Sequence, residues 1–537
     1  MNKSESRKAI VIGIILLFFG MYAVSASDTL VTTNSQLMNR EWLYVGGTGP
    51  GNYTTIQSAI NDANPGDTVF VYSGTYYENV VVNKDNINLI GENNDTTVID
   101  GLSLGDAVDI MSEGVTITGF TVQDDFFGIV LFPYYNNNTV IGNIAHSNLA
   151  GIYVWLSNNN TVIGNTAYSN VDYGIQVWLS NNNIVMGNTV SNNDCGIFID
   201  SSSNNSVTEN TVLNNDNGIF IDSSSYNHLT GNIVSNYIYG IWIDSSSYND
   251  IIGNTVSDNS FGILLDYSSN NNIIGNTVSD NGGGIHLQVS SNDNDIIQNT
   301  ITSNSAAIFL HTSYSNTIME NTVTHNHEEI YLYQSNSNNL YHNNLIDNYQ
   351  DSYDDGSNAW DNGYPSGGNY WSVYIGMDND GDGIGDTPYN ISGGSNQDRY
   401  PFMEPNGWVN EPPDKPDKPS GETKGKINTD YIYTTKTIDV DGDQVCYQWD
   451  WGDGSQSTWL GPYDSGLFAA AEHSWSVKGD YSIKVKAKDI HDVESDWSDP
   501  LPVTMPCSYK IPMQWFWERL FQRFPNAFPL LRHLLGY

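Results

Sequence analysis

Basic residues are scarce in this chain and missing from its middle. Lysine and arginine number 19 against 61 aspartates and glutamates, and none occurs between Lys84 and Arg399. The formal charge of −42 excludes nucleic acid and anionic lipid as partners of the central region, since both require a positive surface. It favours cations, or a salty or calcium-rich medium. Three cysteines, Cys195, Cys446 and Cys507, are too few for a disulfide framework. One bridge is possible, and Cys446–Cys507 is the pair within one expected domain; free, partly buried thiols are the plainer account. Only one long apolar run exists, Ala9–Val24, preceded by Lys3, Arg7 and Lys8 and followed by Val24-Ser25-Ala26. This pattern reads as an export signal over 1–26, with an uncleaved anchor as the alternative. Hydrophobic residues make up 39%, which rules out a disordered chain.

What is abundant is asparagine, and it is periodic. The asparagine of a "GN" step recurs every 22 or 23 residues from Asn143 to Asn343. A second asparagine stands five residues before each marker. A third stands five after it, broken at Tyr237. A Gly-Ile step follows, as in Gly196-Ile197 and Gly218-Ile219. Fixed periods of this size mean a solenoid. Apolar residues alternate with a period of two, so the unit is β. Three short β-branched runs per unit predict an all-β parallel β-helix with three strands per rung and about 22 residues per rung. Stacked asparagines at the corners then form amide ladders.

The alternation also sorts the faces. Ile197 and Ile199, like Ile219 and Ile221, point inward. The residue between them points outward and is mostly aromatic: Tyr153, Phe198, Phe220, Trp242, Phe309, Tyr331. A second outward position reads Phe132, Trp155, Trp178, Asp200, Asp222, Asp244, Asp266, Gln288, His311, Tyr333. Four carboxylates one rung apart should raise some pKa values or recruit cations. Aromatics beside hydroxyl-binding acids suit a sugar chain, so the expected ligand set is Asp200, Asp222, Asp244, Asp266, Phe198, Phe220, Trp242, Trp155 and Trp178. The plainer account is a solvated face whose acids open the "DSSS" turn. Upstream, Thr54 or Thr55 is positioned to cap a helix over Ile56–Asn61 that closes the open end of the stack. Strands Thr68–Tyr72 and Asn79–Val82 follow.

The "GNTV…NNxxGI" rungs and the segment before them resemble right-handed parallel β-helix proteins of the pectin-lyase type. Within these they look most like the family named for NosD, a periplasmic copper-insertion protein. The resemblance covers about Trp42 to Pro405, and "GNYWSVYIGMDNDGDGIGDTPYNI…DRYPFM" (Gly368–Met403) is similar to the family's usual end. After the proline-rich Glu411–Pro419, the stretch "WDWGDG" (Trp449–Gly454) resembles a polycystic-kidney-disease (PKD) β-sandwich with an immunoglobulin-like fold. The resemblance implies a spacer or adhesion element. The expected organisation is therefore signal 1–26, β-helix with cap 40–348, its C-terminal end 349–405, linker 406–420, PKD-like domain 421–506 and an aromatic, basic tail 507–537. That tail suits a membrane-surface or sorting contact; the alternative is a helix packed on the preceding domain.

Two further motifs carry chemistry. Asp378, Asp380 and Asp382 alternate before Gly383, and the Ile384 carbonyl and Asp386 complete a calcium-type loop, structural in role. The twelfth-position glutamate of an EF-hand is replaced by Tyr389. Because the family name evokes copper, His311, His325 and His327 are candidate ligands, with solvent-facing strand and turn histidines as the simpler account. β-Helix lyases usually use a basic side chain on an acidic polymer, which this region lacks. Paired carboxylates acting on a neutral glycan remain open, although regular rungs give no singular pair. The leading expectation is an exported, non-catalytic, secreted or cell-surface protein that binds a glycan or cell-envelope component, with structural calcium. A carbohydrate-active hydrolase or epimerase, and a copper-handling protein, are the alternatives.

Overall fold

A computed structural model describes residues 41–440, 442–506, 513–523 and 533. The expected signal segment, Cys507 and most of the tail lie outside the described residues. Three parallel sheets wind into a β-solenoid, each rung giving one strand to each sheet. The first sheet has 14 strands, from Trp42–Val45 to Asn339–Tyr341. The second has 13, from Val80–Val82 to Tyr353–Asp354. The third has 14, from Gly74–Tyr76 to Tyr370–Trp371. Each strand pairs with its equivalent one rung away, as Val207 does with Leu229 and Ile219 with Ile241. Alternation puts Val207, Val212, Ile219 and Ile221 into one continuous core. That burial is the main stabilising term.

The asparagines solve a corner problem. Where the chain bends, backbone N–H groups point along the stack and would be buried without partners. Each is taken by the Oδ1 of the asparagine one rung on, at 2.9–3.1 Å from Asn143 N–H to Asn369. A second ladder runs from Asn138 to Asn358 at 2.8–2.9 Å. The third ladder is not broken at Tyr237. Asn215 N–H donates to Asn236 at 2.9 Å, and Asn236 N–H to Asn259 at 2.8 Å. That rung omits the left-handed residue held elsewhere by Asn192, Asn214 or Asp258 and inserts one residue after the corner, so the register recovers. Sequence reading missed a fourth ladder. Ser157, Ser180, Ser202, Ser224, Ser246, Ser268 and Ser291 relay backbone N–H to Oγ bonds of 2.8–3.1 Å.

Both ends of the stack are covered. The helix Ile56–Asp62 buries Ile56, Ala59 and Ile60, and Thr55 caps it by accepting from Ser58 N–H. Glu78 accepts from Ile56 N–H at 2.7 Å and Gln57 N–H at 3.0 Å, which also suits the positive end of a helix. At the other end Trp360 and Trp371 are buried. Their indole N–H groups donate to Asp354 and Asp398, both at 2.8 Å.

Beyond Glu411–Pro419 lies a small antiparallel sandwich. Tyr431–Thr435 pairs with Ala469–His473. The facing sheet orders Leu460–Tyr463, Val445–Asp450, Gly479–Lys488 and Leu501–Met505. The "WDWGDG" tryptophans Trp449 and Trp451 are stacked and buried, with Trp475 and Tyr433 beside them. A helix spans Met513–Arg523; among the described residues no helix is long and apolar enough to cross a membrane.

Candidate functional site

The outer face of the second sheet carries the side chains singled out above. Asp200, Asp222, Asp244 and Asp266 are register partners on successive strands, about 4.8 Å apart along the stack. The row is headed by Trp155 and Trp178 and followed by Gln288 and His311. Three of the acids do begin the turn: Ser201, Ser223 and Ser245 donate to Asp200, Asp222 and Asp244 at 2.8, 3.1 and 3.1 Å. Asp266 is followed by Tyr267 instead, and its carboxylate meets Gln288 and Trp242. Burial raises the carboxyls of Asp244 and Asp266. The neighbouring acids Asp222 and Asp244 add to this, and Gln288 and Trp242 partly oppose it at Asp266.

The aromatic column beside the row is stacked on itself. Phe198 stacks on Phe220 with centroids 4.9 Å apart, and Phe220 on Trp242 at 4.1 Å, with interplanar angles of 19° and 10°. These rings cover one another's faces along the column. Trp155 and Trp178 stack at 6.2 Å in the row itself. Two buried polar atoms of this face, Trp155 Nε1 and His286 Nε2, have no hydrogen-bond partner.

A singular carboxyl pair exists after all, at Asp106 and Asp109. Asp109 occupies the outward position of Val108–Ile110, in register with Val130, which itself pairs with Tyr153. Burial first, and the Asp106 charge second, push its carboxyl up to about 7. Burial likewise raises nearby Asp125 to about 6, against the N–H groups of Gly101 and Ser103 that hydrogen-bond it. The pair stands outside the regular repeat, so periodicity could not expose it.

At the solenoid's end, ligand atoms of Asp378, Asp380 and Asp382 lie within 4.8 Å of one another. Asp378 also accepts from the N–H groups of Gly381 and Gly383 at 2.6 and 3.0 Å, which fixes the loop. The Asp382 charge raises Asp380. Asp386 lies outside this group of three and accepts from Asn379 within the loop, at 2.8 Å from N–H and 2.6 Å from Nδ2. The Ile384 side chain is buried. A cavity of about 710 Å³ adjoins the loop, lined among others by Asp382, Tyr364, His342, Phe402 and Trp408.

The histidines do not converge. His311 packs between Phe309 and Tyr333. His325 sits at a left-handed corner bonded to Thr324, and His327 stacks on Tyr349. Among the described residues, Asp378, Asp380 and Asp382 are the only three or more His, Cys, Asp or Glu placed to share an ion.

Comparison with known proteins adds the following. The PKD domain family matches residues 426–497. The PKD domain of an M14-like peptidase from Thermoplasmatales archaeon SCGC AB-540-F20 is 46% identical, covering 18% of this chain and 99% of that one, with a TM-score of 0.18. The mannuronan C-5 epimerase AlgE6 A-module of Azotobacter vinelandii is 15% identical over 57% of this chain and 94% of its own, with a TM-score of 0.38. The catalytic domain of a GH87 α-1,3-glucanase is 12% identical over 59% and 67%, with a TM-score of 0.36. No curated protein matches the chain. The family described as periplasmic copper-binding protein (NosD) matches residues 60–238 and 216–376. These segments overlap across the rungs described above and span more than half of the sequence, so the chain belongs to the NosD family and carries a PKD domain at its C-terminal side.

Proposed function

We propose that this is an exported surface protein that binds an uncharged glycan, such as a cell-envelope polysaccharide, along the outer face of its second sheet. The observation that carries the reading is the row of register-paired carboxylates headed by indoles on that one face, where Trp155 Nε1 and His286 Nε2 are also buried without a hydrogen-bond partner. Each such group costs about 1–3 kcal/mol unless a partner arrives. Indole N–H groups donate to sugar oxygens, and carboxylates accept from sugar hydroxyls. The row of acids and the lack of lysine or arginine between Lys84 and Arg399 disfavour a polyuronate, which would meet like charge. Calcium held by Asp378, Asp380 and Asp382 would rigidify the solenoid's end, since hard carboxylate oxygens suit that ion. The PKD domain and the tail then act as spacer and attachment.

Copper does not fit the described residues: the histidines are dispersed, and the one ligand cluster is all carboxylate, a donor set suited to harder ions. A carbohydrate-active enzyme is the second reading. It would draw on the buried Asp106–Asp109 pair, in which burial raises both carboxyls and the Asp106 charge raises Asp109 further, as a proton donor to a neutral glycan. An array of neutral oligosaccharides and polyuronates, read with and without calcium and followed by a reducing-sugar assay, tests both. Binding of neutral glycan without turnover is expected. Binding confined to polyuronates, or none, refutes the first reading. Turnover lost in Asp109→Asn would establish the second.

A further inference from the structure

We infer that the glycan face has one anchoring subsite, at the junction of Trp178 and Asp200, where a single uncharged sugar ring stacks on the open face of the Trp178 indole. This rests on the reading above and narrows it. The outward row changes character at this junction: Trp155 and Trp178 are register partners, and the next partner of Trp178 is Asp200. The ring contacts of Trp178 are with Tyr153 at 6.5 Å and Trp155 at 6.2 Å, both at 15° and both on the preceding rung. Its other face looks towards the rung of Asp200, where the short carboxylate leaves it uncovered by any ring. Phe220, by contrast, is sandwiched between Phe198 and Trp242.

The surroundings of that face suit a sugar. Ser201 occupies Asp200 Oδ1 at 2.8 Å, leaving Oδ2 for a ligand hydroxyl. Burial and, behind it, the Asp200 charge raise the Tyr153 phenol, and Tyr173 stands on the same strand as Trp178. Trp155 Nε1, buried and unpartnered, lies one rung below. Apolar ring face, acceptor and donors together match a pyranose, whose C–H face is apolar and whose rim is hydroxylated. Further sugars of the chain would follow Asp222, Asp244 and Asp266 along the stack, meeting carboxylates and no second open ring of this row.

The test is isothermal titration of the full exported chain with hexasaccharides of glucose, mannose and N-acetylglucosamine. Wild type, Trp178→Leu and Phe220→Leu are compared. The expected result is binding of at least one hexasaccharide, weakened about tenfold or more by Trp178→Leu and less than about threefold by Phe220→Leu. Equal losses, or unchanged affinity in Trp178→Leu, overturn the subsite while leaving the wider reading intact. Absence of binding by wild type to all three overturns both. If circular dichroism shows Trp178→Leu unfolded, Asp200→Asn against Asp266→Asn decides: the subsite requires the first to weaken binding about tenfold and the second to do so less, and the reverse order overturns it.

Discussion

Replacing Asn210 by alanine removes one amide from the middle of a buried ladder. Its Oδ1 accepts from Asn188 N–H and Asn188 Nδ2, both at 2.9 Å. Its Nδ2 donates to the Val185 carbonyl at 2.9 Å and to Asn232 Oδ1 at 3.0 Å. Two of the four neighbours keep another partner, because Asn188 Nδ2 still reaches the Val162 carbonyl and Asn232 Oδ1 still accepts from the residue-210 N–H. The Asn188 N–H is left buried with no acceptor, and the Val185 carbonyl loses this donor. One orphaned N–H at about 1–3 kcal/mol, with about 1 kcal/mol for the donor lost by the Val185 carbonyl, gives a destabilisation of about 2–4 kcal/mol. The assay is urea unfolding followed by circular dichroism. The control is Asn204→Gly, at an exposed corner with φ of 58°; glycine tolerates that geometry and should change stability by less than about 0.5 kcal/mol. A loss in Asn210→Ala no greater than in Asn204→Gly would refute the ladder as a source of stability.

Burial pushes Glu329 and Asp398 each up to about 7. Between the ordinary carboxylate range and that value the folded chain holds protons that the unfolded chain has released. Their contribution is therefore complete below the unfolded pKa and lost as pH rises through about 7. The melting temperature should fall between pH 5 and 8, and Glu329→Gln should flatten that fall; a profile rising over this range contradicts the assignment. Millimolar calcium should raise the melting temperature of wild type and not of Asp380→Asn. A shift that survives the substitution places the ion elsewhere. Gly218→Ala puts a Cβ 2.4 Å from the Gly240 carbonyl oxygen and from Asn236 Nδ2. It should cost about 1–3 kcal/mol in urea unfolding, and a neutral result would mean that adjacent rungs are not held at this distance.

The rungs were legible because each contacts near-copies of itself, so period, face and ladder follow from one unit. Legibility failed where a rung departs from the pattern. At Asn236 a deletion and an insertion cancel, which spacing counts alone read as a missing asparagine. The serine ladder was hidden because Ser202 looks like any turn residue until its Oγ is seen accepting from Ser180 N–H. Glu329 stands at the Gly-Ile glycine position, where its carboxylate ends the third ladder by accepting from Asn348 Nδ2 at 2.9 Å and Ser352 Oγ at 2.8 Å. In the candidate site, the row of acids was readable from position alone. The direction of the ring faces was not, because stacking depends on χ angles rather than on spacing. The hydrogen bonds of Asp386 to Asn379 were likewise not signalled by its offset in the loop.

The most direct test of the central claim is a titration of the four-site variant Asp200→Asn, Asp222→Asn, Asp244→Asn and Asp266→Asn with the neutral hexasaccharide that wild type binds best. Amides keep the shape of the row and remove its charged acceptors. The face described here predicts that affinity falls by about a hundredfold or more while the circular dichroism spectrum is unchanged. Undiminished binding by a folded variant would place the glycan elsewhere on the molecule.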